Sequence, residues 1–145
     1  MSQVLVVDDD RAIRELLRYA LEAEGYTVKQ FCDGRGVIEA LDVAPEHCVV
    51  LMDLMMPEMT GWDVCRALEA QPALMRRHAL VLMSAGLMSG QDYPAVVDAL
   101  VRKPFRLEQI YTLVEALFAG LAERDAARAI VPVLTCDPHT IDSVA

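Results

Sequence analysis

Short, continuous apolar runs alternate along the chain with segments in which apolar residues recur at helical spacing. The continuous runs are Val4–Val7, Cys48–Met52 and Leu80–Met83, and each has the length of a strand that is buried on both faces. Thr27–Phe31 is also predicted to be a strand, while Val96–Val101 has the pattern of a helix end followed by a short strand.

Helical periodicity fills the intervals between these strands. Apolar residues recur three and four positions apart after Arg11, around Val37, after Trp62 and from Leu107 onward. The helix that contains Trp62 is predicted to end before Pro72. With one more helix between positions 84 and 103, the pattern predicts five strands and five helices by about residue 122.

This alternation predicts βαβ units, and therefore a parallel sheet covered by helices on both faces. The fold class is α/β and doubly wound. We expect one domain over residues 1–122, followed over residues 123–145 by a helix extension and a tail with no effector domain.

Composition narrows the classes of function. The chain has 145 residues, a hydrophobic fraction of 54% and a formal net charge of -9, so binding to nucleic acid or to an acidic membrane surface is not expected. It has no apolar run long enough to span a bilayer and no basic leader. The four cysteines lack paired spacing, and Cys48 and Cys65 are predicted to be buried free thiols, which fits a cytoplasmic protein.

Polar side chains follow the predicted strands at the points where these strands end. Asp8 and Asp9 follow the first strand, Asp53 follows the third, and Ser84 and Lys103 follow the last two. In parallel α/β sheets, ligands bind beyond the carboxyl ends of the strands. We therefore expect these five residues to form one pocket.

The charges in this pocket need a counterion. Two carboxylates 4 Å apart repel by about 4 kcal/mol at an effective dielectric of 20. One lysine cannot neutralise three acids, so the arrangement requires either a divalent cation or raised pKa values. Mg²⁺ binds carboxylate and phosphate oxygens, and Ser84 and Lys103 could donate to a phosphoryl group. The neighbouring Asp10 is interpreted as the cap of the helix that begins near Arg11.

Four motifs, VLVVDDD, LMDLMMPEMTGWD, VLMSA and VRKPF, together resemble the receiver domain of two-component response regulators, of the stand-alone, chemotaxis-regulator-like kind. The resemblance covers about Gln3–Ala122. It implies the flavodoxin-like strand order 2-1-3-4-5, which the periodicity alone does not give.

The resemblance also implies roles for the acids. Asp53 matches the aspartate that accepts a phosphoryl group from a sensor histidine kinase or a histidine phosphotransfer protein. Asp8 and Asp9 match the acidic pair that binds Mg²⁺, with Mn²⁺ as an alternative. Asp53 and the backbone carbonyl of Met55 would complete the protein ligands.

Further roles follow from the same resemblance. Ser84 matches the switch hydroxyl, and Lys103 matches the lysine that contacts the phosphoryl group. The Lys103–Pro104 peptide bond is expected to be cis. Pro57 and Gly61 match a family loop in which glycine permits a turn that other residues resist.

The implied protein is a signalling domain that catalyses only its own phosphorylation and dephosphorylation. It would signal to an unidentified target protein by protein contacts, without nucleic acid or membrane, and as a monomer or a homodimer.

The chain departs from the family in two places. Leu100 stands where relatives usually carry an aromatic residue, and the segment between Ser84 and Lys103 is short and contains Gly86 and Gly90. The helix in that segment is expected to be short, shifted or mobile. These departures leave open a pseudo-receiver that acts only as a protein-interaction module.

Enzymes are the third class of function. An aspartate-nucleophile phosphohydrolase would need a second acid where this chain has Met55, and a flavin-binding protein would need a phosphate-binding loop after Val7.

Overall fold

A computed structural model of the protein describes residues 2–85 and 93–127. The strands are β1 (Gln3–Val7), β2 (Thr27–Phe31), β3 (Cys48–Asp53), β4 (Ala79–Ser84) and β5 (Ala99–Arg102). The helices are α1 (Arg11–Ala23), α2 (Val37–Val43), α3 (Gly61–Glu69), α4 (Pro72–Met75) and α5 (Leu107–Ala127).

The five described strands form one parallel sheet in the order β2-β1-β3-β4-β5. The predicted α/β class, the parallel sheet and the order 2-1-3-4-5 are confirmed. Val7 pairs with Met52, and Asp53 pairs with Met83, so β1, β3 and β4 end side by side. The residues that follow these strands are therefore brought to the same edge of the sheet.

Each face of the sheet carries its own apolar core. Val49 and Leu51 of β3 pack on the side of α1 and α5, while Val50 and Met52 pack on the side of α2 and α3. Every residue of β3 is buried. This two-sided burial explains why the run from Cys48 to Met52 is continuously apolar rather than alternating.

Helix α1 begins where the sequence predicts. The Asp10 side chain accepts hydrogen bonds from the backbone N–H groups of Ala12 and Ile13, which confirms its role as the helix cap. Leu17 faces the core, whereas Leu16 is 47% exposed because the helix buries only one side.

The helices around β4 differ from the prediction. The helix that contains Trp62 does end before Pro72, but Pro72 then opens the separate helix α4, where its fixed φ and missing N–H suit a first helical turn. The helix predicted between Ser84 and Lys103 lies partly outside the described residues, as do Gly86 and Gly90. Residues 93–98, which precede β5, contain a turn and no helix.

The carboxyl-terminal prediction is only partly covered. Helix α5 runs without a break through residue 122 to Ala127. The remainder of the proposed tail lies outside the described residues. No helix in the part of the chain that the structure describes has the length and apolar character needed to cross a bilayer.

Two polar contacts tie elements together at the edge where the strands begin. The fully buried His78 accepts a hydrogen bond at Nδ1 from the Cys48 N–H (2.9 Å), and its Nε2 lies 3.0 Å from the carbonyl oxygen of Leu41. The buried Asp98 accepts one hydrogen bond from the Leu80 N–H (2.8 Å) and one from Arg124 (3.2 Å). The first contact joins α2, β3 and β4, and the second joins β4, β5 and α5.

The described cysteines are free thiols of two kinds. Cys48 and Cys65 are buried, as predicted, and burial raises the thiol pKa to about 11 for Cys48 and about 12 for Cys65. Cys32, just beyond β2, is exposed.

Candidate functional site

The three predicted acids converge at the carboxyl edge of the sheet. Carboxylate oxygens of Asp8, Asp9 and Asp53 all lie within 4.8 Å of one another. Asp8 and Asp53 are buried, and Asp9 is exposed. The convergence follows from the topology, because β1 and β3 are parallel neighbours that end at the same level.

Lys103 supplies the positive charge in this cluster. Its Nζ lies 2.7 Å from Asp8 Oδ2 and 3.5 Å from Asp53 Oδ1. Its backbone N–H donates to the carbonyl of Ser84 (2.7 Å), and the peptide bond to Pro104 is cis, as predicted. The loop after β5 thus directs the ammonium group back over the ends of β1 and β3.

The Asp53 carboxyl group is partly desolvated and surrounded by charge. Burial raises its pKa above the ordinary value, and the neighbouring charges of Asp8 and Asp9 raise it further. Lys103 and a hydrogen bond from the Met55 N–H lower the pKa, but they only partly offset the increase. The site therefore disfavours the anion of Asp53 when no cation beyond Lys103 is bound.

Asp8 is held through all of its polar groups. Its N–H donates to the Phe31 carbonyl (3.0 Å), and its Oδ1 accepts from the Asp10 N–H (2.9 Å). Its Oδ2 faces Lys103, and its carbonyl oxygen accepts from Arg14 Nη1 (2.7 Å). Arg14 is not among the residues predicted from the sequence, where its only signal is its place in the first turn of the helix after the acids.

The loop after Asp53 folds closely around that residue. The Met55 backbone N–H donates to the acid, while the residue as a whole is 68% exposed. The Gly61 N–H donates to the Leu54 carbonyl (3.0 Å), and a Cβ at position 61 would lie 3.0 Å from the Asp53 carbonyl oxygen.

The structure gives the reason why other residues are resisted at position 61, and that reason is crowding. The Gly61 backbone is not left-handed, and the left-handed residue of this loop is Glu58, with φ 63°. Glycine is favoured at position 61 because two backbone segments approach closely there, and a Cβ would crowd the backbone of Asp53 and Leu54.

Ser84 lies at the end of β4 and is half-buried. Since Met83 pairs with Asp53, Ser84 lies on β4 one position beyond the end of β3. This placement fits a hydroxyl that faces the pocket, and its switch role stays a prediction.

An aromatic pair borders the region where the chain departs from the family pattern. Trp62 stacks on Tyr93, with ring centroids 5.8 Å apart, so Trp62 is a packing residue. Leu100 is partly buried against the same core as this pair.

The donor set suits a hard divalent cation. The cluster consists of three carboxylates, and one ammonium group contacts two of them. Carboxylate oxygens are ligands that Mg²⁺ prefers. The residues present therefore fit Mg²⁺, with Asp8, Asp9 and Asp53 as the side chains that would hold it.

Comparison with known proteins agrees with this geometry. A family model described as "Response regulator receiver domain" matches residues 4–115. Response regulator MprA of Mycobacterium bovis (strain BCG / Pasteur 1173P2) is 36% identical, over 95% of this chain and 61% of the relative. The chain thus spans about three fifths of the length of the curated relatives it matches.

Solved structures show the same fold. A CheY-like response regulator receiver domain protein from Methanospirillum hungatei JF-1 superposes with a TM-score of 0.71 at 26% identity, covering 84% of this chain and 98% of that one. Response regulator protein TrrA from Thermotoga maritima, solved in complex with Mg²⁺-BeF, gives a TM-score of 0.68 at 26% identity, covering 81% and 99%.

Proposed function

This chain belongs to the response regulator receiver domain family of two-component signal transduction, and on that premise we propose that Asp53 accepts a phosphoryl group. The donor would be the phosphohistidine of a sensor histidine kinase or a histidine phosphotransfer protein. The phosphorylated domain would then signal through contacts with a target protein.

One observation carries this proposal, namely that three carboxylates and one ammonium converge at the ends of adjacent parallel strands. The acids lie within 4.8 Å of one another, and Lys103 contacts both Asp8 and Asp53. An unpaired cluster of this kind would destabilise the fold without purpose. Binding of a metal ion would offset the repulsion between the acids, and transfer of a phosphoryl group would give the cluster a function.

The proposed transfer uses the residues as follows. A carboxylate oxygen of Asp53 forms the new P–O bond while the P–N bond to the donor imidazole breaks, and its electron pair returns to the ring nitrogen. Lys103 offsets charge on the transferring oxygens, and Ser84 donates its hydroxyl to one of them. The three acids and the Met55 carbonyl would hold Mg²⁺ or Mn²⁺, which would supply further positive charge when bound.

The product is an acyl phosphate that water can hydrolyse, so the chemistry acts on the domain itself and the domain turns over no separate substrate. Receiver domains are signalling domains, and we infer that this one catalyses only its own phosphorylation and dephosphorylation. The buried free thiols suit the reducing cytoplasm, where we place the protein.

The decisive test is the intact mass of the protein after incubation with phosphoramidate, a small donor with a P–N bond. We expect a gain of one phosphoryl unit that requires Mg²⁺ and is lost in Asp53→Asn. Asp10→Asn is the matched control, since it removes one adjacent charge yet keeps a good helix cap. It should be phosphorylated like the wild type.

The alternatives give different results. A pseudo-receiver would show no mass gain with any donor or metal. A phosphohydrolase would release phosphate from small esters repeatedly. The exposed Met55 stands where such an enzyme needs its second acid.

A further inference from the structure

The peptide group that joins Asp8 to Asp9 has a dedicated partner. Its carbonyl oxygen accepts a hydrogen bond from Arg14 Nη1 at 2.7 Å. A guanidinium bonded to this oxygen limits rotation of the peptide plane, and that plane sets the direction in which the next side chain leaves the backbone.

Asp9 depends on this constraint more than Asp8 does. The Asp8 carboxylate is fixed by the Asp10 N–H and by Lys103. Within residues 2–85 and 93–127, no hydrogen bond or salt bridge fixes the Asp9 carboxylate, which is exposed. Its position in the cluster is therefore set by the backbone that carries it.

We propose that Arg14 is a positioning residue for the metal site, because it holds the Asp8–Asp9 peptide so that both carboxylates face Asp53. The inference rests on the proposed function, since it concerns the same cation. Arg14 is itself anchored, because its N–H donates to the Asp10 carbonyl (3.1 Å) in the first turn of α1. The helix cap, Arg14 and the peptide group thus form one connected support.

A purely electrostatic role would have the opposite effect on metal binding. A cation near the site repels Mg²⁺, so its removal should strengthen binding. A group that orients the ligands strengthens binding, so its removal should weaken it. The sign of the change in metal affinity therefore separates the two roles.

Metal binding can be measured with Mn²⁺ by electron paramagnetic resonance, which counts the free ion, and with Mg²⁺ as the competitor. We expect Arg14→Ala to raise the dissociation constant about tenfold, the loss usual when a group that orients a ligand is removed. Arg11→Ala is the matched control, because Arg11 lies in the same helical turn, pairs with Glu15 and has an 81% exposed side chain. It should leave the constant unchanged or lower it slightly.

Two further variants guard against a trivial result. Arg14→Lys keeps a cation and one donor for the same carbonyl, so affinity should return toward that of the wild type. If Arg14→Ala does not fold by circular dichroism, Arg14→Gln replaces it in the same comparison. Without metal, the folded variants should have melting temperatures close to that of the wild type.

An Arg14→Ala protein that binds Mn²⁺ as tightly as Arg11→Ala, or more tightly, would overturn the inference. A wild type that binds Mn²⁺ but gains no phosphoryl group would instead refute the proposed function and leave the role of Arg14 in metal binding intact. The two failures are therefore distinguishable.

Discussion

His78 is a buried histidine that the fold keeps neutral. Burial lowers its pKa to about 4, below the ordinary value of 6.5. Between these two pH values the histidine is protonated in the unfolded chain and neutral in the folded chain. It therefore lowers the free energy of unfolding as the pH drops from about 6.5 to about 4. The full effect of such a shift is about 3 kcal/mol.

We predict that His78→Gln removes this pH dependence. Urea denaturation near neutral pH should show a loss of about 1–3 kcal/mol, since the hydrogen bonds to Cys48 and Leu41 are weakened. Toward pH 4.5 or so, the gap between variant and wild type should narrow. A gap that stays constant with pH would contradict the assignment.

At the residue scale, the sequence was enough to predict the polar side chains that follow strands. It was not enough to predict contacts that form when two distant segments come close together. Asp8, Asp53 and Lys103 could be predicted because a parallel sheet brings strand ends together. The hydrogen bond from Arg14 and the close contact at Gly61 could not be predicted, because each depends on the relative positions of two segments in the folded protein.

At the element scale, one buried contact connects the strands β4 and β5 to the last helix. Burial raises the pKa of Asp98, and Arg124 together with the Leu80 N–H opposes that increase. The helix α5 is thus held against the sheet by this ion pair as well as by its apolar face.

We predict that Arg124→Met lowers the free energy of unfolding by about 3 kcal/mol, because it leaves a buried carboxylate short of a partner. The variant's Asp98 should have a still higher pKa, so the loss should be larger at pH 8 or so than at acidic pH. Urea titrations at both pH values measure this.

A second substitution tests the cause. Asp98→Asn in the Arg124→Met background should recover part of the lost stability, since the uncompensated charge is gone. Arg76→Met, at an exposed arginine, should change stability by less than about 0.5 kcal/mol. No recovery in the double variant would mean that Arg124 acts through packing alone.

The positions of β1, β3 and β4 were predictable because a short apolar run that is buried on both faces of a sheet has few alternative structures. The helices around β4 were not, because Pro72 both ends one helix and begins another. A proline marks a boundary in the sequence without saying whether a new helix follows it.

At the scale of the whole molecule, the acidic cluster should link metal binding to global stability. A cation that binds only the folded chain stabilises it by mass action, by about 2.7 kcal/mol at one hundred times the dissociation constant. Calorimetry should therefore show a melting temperature that rises with Mg²⁺ at constant ionic strength.

Asp53→Asn should weaken this dependence on Mg²⁺. Without metal, the variant should melt higher than the wild type by about 2–8 °C, because one of three mutually repelling carboxylates is gone. With Mg²⁺, its melting temperature should rise less. Asp33→Asn, at a buried acid paired with Arg35 outside the cluster, is the control that should keep the full Mg²⁺ response.

The order of the strands could not be derived from hydrophobic periodicity, since each buried run would fit any central place in a parallel sheet. It came instead from the resemblance of four short motifs to one family. The periodicity and the motifs agree because both reflect the same requirement, which is that β1 and β3 be neighbours with acids at their ends.

The contrast between the described cysteines has a practical use. Cys32 is exposed to solvent next to Phe31, whose carbonyl oxygen accepts a hydrogen bond from the Asp8 N–H. Cys48 and Cys65 are buried, and their raised thiol pKa values make the reactive thiolate rare. In a chain with Cys136 replaced by serine, a maleimide dye would thus attach directly after β2, at the same edge of the sheet as the acidic cluster. Such a labelled protein could report ligand arrival optically in real time, with no kinase or radioisotope required.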